Sequence, residues 1–236
     1  MSKTFTFSVR TSTSARDTRL KRKTDVVITL APSPEDAGGV TSKLIPWKIL
    51  TFHAESTTYR SVTINPEIAV CTVDERDNGV LIPNHTQKLE KGGVVVLKPT
   101  QEGDGLYWDV DPPPYTKNSN AGITAGQQTP PTVANDSFII RNEYGETKLA
   151  LCLFEEDGFD RLPIVDLGPL PKGEQFTING PLCLQAYAMV EPTVGKPLEL
   201  MNYAPLLGPM AVNDLPESAF MLYNKPNGTT ALKPPY

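Results

Sequence analysis

Residues that interrupt regular backbone structure are spread along the whole chain. Proline occupies 23 of the 236 positions and glycine occupies 17. Proline lacks a backbone donor, and both residues are unfavourable inside helices, so little room is left for long helices between them. Runs of Ala, Leu, Glu and Lys, which favour helices, are scarce. This distribution excludes a helical bundle and favours short strands joined by turns.

Between these interruptions, apolar and polar residues alternate with the period of two that is typical of half-buried strands. In residues 4–9, Phe5, Phe7 and Val9 share one face. In residues 147–155 both faces are apolar, which predicts a central strand that is buried on both sides. The pattern favours a β-sandwich or jelly roll. The other predicted strands are 25–30, 47–53, 61–64, 68–74, 93–98, 106–111, 137–142, 174–178, 182–190, 198–202 and 219–224.

The chain also matches itself when it is shifted by 81 positions. Residues 69–75 then lie over 150–156, and Lys91-Gly92 lies over Lys172-Gly173 without a gap. We infer two degenerate copies of one β unit, with chance similarity between strands as the alternative. The predicted fold is therefore all-β, with two pseudo-repeated β-sandwich or jelly-roll-like units at about 62–113 and 138–192.

The clearest change in composition lies at 112–132. This stretch opens with three prolines, closes with two and is rich in Gly, Ser, Asn, Thr and Gln, which is typical of a linker or a long surface loop. The sequence thus predicts an N-terminal β unit at 1–114, a linker at 115–132 and a C-terminal β unit at 133–236.

The overall charge limits the classes of partner. A formal net charge of -5 over 236 residues gives no global attraction to nucleic acid or to anionic lipid. No apolar run is long enough to span a membrane, and residues 1–10 lack the apolar stretch of a secretory signal. We therefore expect a cytoplasmic protein without a nucleic-acid partner or a membrane span, and we leave its oligomeric state open.

One basic stretch departs from the acidic average. It carries Arg16, Arg19, Lys21, Arg22 and Lys23, and its interpretations are a phosphate site, an import signal or an exposed connection whose charges discourage edge pairing. The exposed connection is the interpretation that we favour, because no aromatic residues are interspersed with the charges.

The sequence offers little for catalysis. Its only histidines are His53 and His85, and the common motifs for hydrolases, nucleotide-binding loops and zinc sites are absent. The three cysteines, Cys71, Cys152 and Cys183, lie in apolar strand patterns, which predicts buried reduced thiols. We expect a protein that is not an enzyme.

Aromatic and thioether residues mark a candidate site for a small hydrophobic aromatic ligand. The apolar segment 203–212 contains breakers that argue against a strand, so it is either a lid over the core or the wall of a pocket. The candidate ligand-binding residues are Tyr107, Trp108, Tyr187, Met189, Tyr203 and Met210.

Two carboxylates next to these aromatics form a candidate metal site. Asp109 and Asp111 share one face of a predicted strand, about 7 Å apart, a spacing that suits a divalent cation. A solvated hairpin with a polar face is the interpretation that we favour, and a carboxylate pair of the kind that glycosidases use is a further alternative. In the second copy, Met189 and Glu191 replace the two aspartates, so this site is expected in the first copy alone.

Three segments carry a resemblance to a known group of proteins. Residues 3–10, 44–50 and 107–112 resemble fruiting-body proteins of mushrooms, and the chain is most similar in size and β-rich character to the pink chromoproteins of oyster mushrooms. The resemblance implies a non-enzymatic protein that holds a small aromatic chromophore, a pigment. A carbohydrate-binding or membrane-active fungal defence protein is the alternative function.

Overall fold

The structure is a computed structural model that describes residues 4–12, 19–33, 43–103, 105–111, 137–153, 162–189, 192–198 and 204–235. The described chain is almost wholly β, which confirms the predicted fold class. The predicted linker at 115–132 lies outside the described residues. The strands are β1 Phe5–Thr11, β2 Thr24–Pro32, β3 Lys43–Leu44, β4 Lys48–Phe52, β5 Tyr59–Ile64, β6 Ile68–Glu75, β7 Leu81–Lys88, β8 Val94–Pro99, β9 Leu106–Asp111, β10 Phe138–Asn142, β11 Thr147–Leu153, β12 Pro163–Leu170, β13 Gln175–Ile178, β14 Leu182–Met189, β15 Pro205–Ala211, β16 Phe220–Asn224 and β17 Thr230–Lys233.

The described strands form four sheets. Sheet I has the order β17-β16-β1-β5, sheet II β15-β14-β2-β4, sheet III β3-β12-β11-β6-β7 and sheet IV β13-β10-β8-β9. Every sheet contains strands from 1–114 and strands from 133–236. The two predicted units therefore share all four sheets and do not form sheets of their own.

The inner faces of the sheets meet in one large apolar core. In sheet I, Phe7 and Phe220 face this core with their ring centroids 5.2 Å apart. A smaller core covers the opposite face of sheet III and contains Ile45, Cys71, Val73, Leu81, Ala150 and Cys152. Strand β11 contributes to both cores and is buried from Leu149 to Leu153, as the prediction of a central two-sided strand requires.

The centre of sheet III has a local twofold arrangement. Val70 of β6 lies opposite Leu151 of β11, while Cys71 lies opposite Ala150 and Ala69 lies opposite Cys152. Val70 and Leu151 also lie over each other when the chain is shifted by 81 positions. The register is therefore symmetric about this pair. The flanking strands β7 and β12, which match each other as well, pair with β6 and β11 respectively.

The symmetry does not extend to the next strands. In the self-alignment, β13 corresponds to β8 and β14 corresponds to β9. β8 pairs with β9, whereas β13 pairs with β10 and not with β14. The turns before β8 and β13 do agree, since the matched glycines Gly92 and Gly173 both have positive φ. Duplication of the whole units 62–113 and 138–192 stays a prediction.

Five strands were not predicted. β3 has two residues and β17 has four, and the other three, β7, β12 and β15, each contain proline. β7 and β15 are edge strands, where proline at positions 83, 205 and 209 removes no hydrogen bond that a second neighbour would need. The expectation that these breakers keep 203–212 out of a strand is therefore wrong for Pro205–Ala211. β12 accommodates its prolines through an irregular register with β11, next to Gly168 at φ +76. Of the predicted strand 198–202, Leu198 is outside any strand and the rest is not described.

Candidate functional site

A cleft of about 180 Å³ opens where three sheets meet. Its apolar wall includes Ile68 of β6 in sheet III, Phe138 of β10 in sheet IV and Leu182 of β14 in sheet II. Val212, which follows β15, completes this wall. Two polar residues, Lys91 and Asn213, line the cleft beside it. The cleft thus combines a mostly apolar surface with a few polar groups, as small-molecule sites do.

The ends of strands fix the position of these residues. Ile68, Phe138 and Leu182 are each the first residue of their strand. The backbone N–H of Gly92 donates to the carbonyl of Ser137 over 2.8 Å, and this bond holds the turn that carries Lys91 against the start of β10. Gly92 has φ +72, a conformation that glycine adopts without strain. Strand pairing and one glycine turn therefore preform the cleft.

The size of the cleft limits what it holds. An apolar cavity of about 150 Å³ accommodates benzene, and pockets for larger ligands span roughly 300 to 1,000 Å³. At about 180 Å³ the cleft has room for a single ring. Lys91 and Asn213 are the polar side chains among the described lining residues. Among the described residues of the lining there is no carboxylate, histidine or thiol.

The first pair of predicted ligand residues lies elsewhere, on β9 at the edge of sheet IV. Tyr107 is 45% exposed, whereas Trp108 is half-buried and packs against the large core. The Trp108 indole N–H donates to the carbonyl of His85 on β7 over 3.0 Å. This bond joins the edges of sheets III and IV. Trp108 therefore has two structural contacts, the large core and strand β7.

Three more of the predicted ligand residues belong to sheet II and divide between its two faces. Met210 of β15 lies opposite Leu184 and packs against the large core. Tyr187 lies on the other face of β14, where its hydroxyl donates to Oε1 of Gln185 and where burial raises the pKa of Tyr187. Met189 follows two residues later on the same face and is half-buried. Tyr203 lies outside the described residues.

The predicted ligand residues therefore do not line one pocket together, and none of those described lines the cleft. Their ligand-binding role stays a prediction. The cleft residues escaped sequence reasoning because Ile68, Phe138 and Leu182 look like ordinary strand residues. The one usable signal was the apolar segment 203–212, whose last residue, Val212, does line the cleft.

The predicted metal site has a different partner. Lys98 of β8 places Nζ 2.6 Å from Oδ2 of Asp109, and its hydrogen bond and charge hold the pKa of Asp109 below its usual range. An ammonium thus occupies the place that a cation would take beside this carboxylate. The side chain of Asp111 lies outside the described part of the chain. Within that part, no group of three or more His, Cys, Asp or Glu side chains converges as metal ligands do. The cation site stays a prediction.

The remaining chemical groups are dispersed. His53 and His85 are both exposed. All three cysteines are buried thiols outside any disulfide. The described chain contains no helix that is long and apolar enough to cross a membrane.

Comparisons with known proteins give no relative for this chain. No family model, no curated protein and no solved structure matches it.

Proposed function

We propose that this protein binds a small ligand with one flat, mostly apolar ring in the cleft between sheets II, III and IV, and that it does so without catalysis. The observation that carries this proposal is the preformed cleft, in which Pro66, Pro181 and the four apolar side chains named above surround a space for one ring together with two polar residues. An aromatic pigment is the ligand class that we favour, because conjugated rings are flat and the sequence resembles chromoproteins.

The chemistry of the lining supports binding over reaction. Enzymes that transform small molecules pair an acid, a base or a nucleophile within hydrogen-bond reach of the substrate. The polar side chains described around this cleft are Lys91 and Asn213. An amide and an ammonium orient a carbonyl or a phenolate well, but together they do not provide an acid–base pair. A larger pigment would insert one ring and leave the rest at the mouth of the cleft.

The test combines a spectrum of the purified protein with titrations of simple ring compounds. We expect visible absorbance if the pigment copurifies, and saturable chemical-shift changes on titration with benzoate or indole if the cleft is empty. Leu182→Trp fills the cleft and should abolish binding. Asn213→Ala removes one hydrogen bond and should weaken the binding of benzoate by up to about tenfold. Ile82→Trp, at a half-buried site on β7 in sheet III, is the matched control.

Two results would exclude this function. One is a colourless protein with which neither ring compound interacts. The other is a folded Leu182→Trp variant that binds as tightly as the parent, because a ligand held elsewhere would not sense a filled cleft.

A further inference from the structure

Sheet I turns one face to the core and the other to solvent. Phe7 and Val9 of β1 point into the core. The alternate residues face outward, where Thr6 lies opposite Thr63, Ser8 opposite Ser61 and Arg10 opposite Tyr59. In the same register, β16 and β17 contribute Met221, Tyr223, Ala231 and Lys233 to this outer face.

The outer face offers an aromatic platform beside rows of hydroxyl groups. Tyr59 is 60% exposed, and its hydroxyl donates across the sheet to Oγ of Ser8 over 2.9 Å. Because this hydrogen bond holds the ring of Tyr59 over the sheet, one side of the ring is open to solvent. Thr6, Ser61 and Thr63 are exposed alongside it. Aromatic rings pack against the apolar faces of sugar rings, and hydroxyl groups both donate to and accept from sugar hydroxyls.

Positive charges surround one end of this face. Arg10 is exposed and pairs with Met221 of β16. Three residues further along β16, the side chain of Asn224 accepts a hydrogen bond of 3.1 Å from the backbone N–H of Lys21. This contact places the backbone of the predicted basic stretch at the same end of the sheet, beside the core-facing side of β16 on which Asn224 lies with Phe220 and Leu222. Lys225, in the turn that follows β16, is exposed there as well.

The basic stretch is a fixed part of the fold. Leu20 is buried, and its carbonyl accepts a bond of 3.0 Å from the backbone N–H of Glu55. Asn224 is itself only 2% exposed. The side chains of Arg19, Lys21 and Arg22 remain exposed, while Lys23 lies 3.5 Å from Asp25. The sequence favoured an exposed connection for this stretch. In the structure, the charged side chains of 19–23 are exposed and lie between β1 and β2. Arg16 lies outside the described residues.

We infer that the outer face of sheet I binds an anionic polysaccharide whose rings pack on Tyr59, and whose sulfate or carboxylate groups bind Arg10 on this face and the exposed cations of segment 19–23 at the end of the sheet. None of the ten outward residues of the described sheet is acidic, so the charge of this face complements such a chain. A single-stranded nucleic acid would use the cations and the ring, but its backbone offers few partners for the rows of Thr and Ser hydroxyls. A polysaccharide has partners for the cations, for the exposed ring and for the rows of hydroxyl groups.

The experiment is calorimetric titration of the whole protein with a short sulfated oligosaccharide, its desulfated counterpart and an oligonucleotide of equal charge. We expect the sulfated chain to bind with the highest affinity, and we expect this affinity to fall as salt is added. Arg10→Gln should weaken binding roughly tenfold through loss of a charged hydrogen bond. Tyr59→Ala should weaken it by about three- to tenfold through loss of ring packing.

Matched controls separate this surface from other sites. Tyr107→Ala removes an exposed tyrosine from sheet IV, and Lys172→Gln removes an exposed cation from the turn before β13, so neither should change the affinity. Leu182→Trp, which fills the cleft, should also leave the affinity for the sulfated chain unchanged. A failure of the surface proposal can therefore be told apart from a failure of the cleft proposal.

Three outcomes would overturn the inference. They are no binding of the sulfated chain, equal affinity for the desulfated chain, and preference for the oligonucleotide with no effect of Tyr59→Ala. If Arg10→Gln fails to fold, Lys21→Gln with Arg22→Gln tests the same charge from the exposed segment.

Discussion

Charged side chains across sheet III make its stability depend on pH. Lys148 of β11 places Nζ 2.7 Å from Oε2 of Glu75 on β6 and 3.6 Å from Oδ2 of Asp166 on β12. The hydrogen bond and charge of Lys148 lower the pKa of Glu75 from its usual value of 4.5. Burial opposes the charged form of Lys148, yet Glu75 and Asp166 raise the pKa of this ammonium overall. The three strands are therefore joined by one shared cation.

The lowered pKa of Glu75 gives a prediction with a defined sign. A carboxyl with a lower pKa in the folded state stabilises that state above its unfolded pKa, and this stabilisation is lost as the pH falls through the folded value. We expect Glu75→Gln to lower the free energy of unfolding at neutral pH by no more than about 1 kcal/mol, since the side chain is half-exposed. The difference should shrink as the pH falls below 4.5 and should vanish once the pH is below the folded pKa of Glu75.

Urea unfolding at a series of pH values measures this difference. Glu90→Gln, an exposed substitution between β7 and β8, is the control. A difference between Glu75→Gln and the parent that persists unchanged in acid would show that the ion pair is not its source.

At the scale of elements, one buried asparagine fastens the turn between β10 and β11. Asn142 is fully buried; its Nδ2 donates to the carbonyls of Gly145 and Leu170, and its Oδ1 accepts from the N–H of Tyr144. Asn142→Ala leaves these groups without partners, and we expect a loss of about 3 kcal/mol of stability. Asn227→Ala, which removes similar local bonds from an exposed turn, should cost less than about 1 kcal/mol. Equal losses in denaturant unfolding would contradict this account.

The elements that sequence reasoning identified are those whose patterns reflect burial. Strand β11 was predicted because apolar residues occupy both of its faces, and β1 because Phe5, Phe7 and Val9 alternate with polar residues. Strands β7, β12 and β15 were not, because proline hides strands that have a free edge or an irregular register. Strands β3 and β17 were missed as well, because two and four residues are too few for a clear alternating pattern. The candidate site was harder still. Its walls come from three sheets, and the pairing that brings Ile68, Phe138 and Leu182 together leaves no local trace in the sequence.

At the scale of the whole molecule, the two halves of the chain depend on each other. Each sheet joins strands from both sides of 115–132, as in the pairing of β6 with β11 and of β2 with β14. Residues 1–114 and 133–236 expressed separately would therefore each expose large apolar surfaces. We expect neither fragment to unfold cooperatively alone, and we expect an equimolar mixture to recover the parent circular dichroism spectrum and a cooperative transition.

The control is to cut the intact, folded chain within 115–132. Because the sheets are already assembled when the chain is cut, we expect the two fragments to stay together. A fragment that shows dispersed amide resonances and cooperative unfolding alone would contradict the interleaved architecture.

The parallel pairing of β1 with β16 also sets an order of events during synthesis. Val9 lies beside Phe220, so roughly 210 residues must be made after Val9 before its partner leaves the ribosome. At about 5 to 20 residues per second this delay is roughly 10 to 40 s. Strand β5 arrives earlier on the other side of β1 and protects that edge, yet the second edge stays open throughout. The nascent chain thus carries an apolar strand with one open edge until β16 has been made, and its correct assembly depends on keeping that edge from other chains until then.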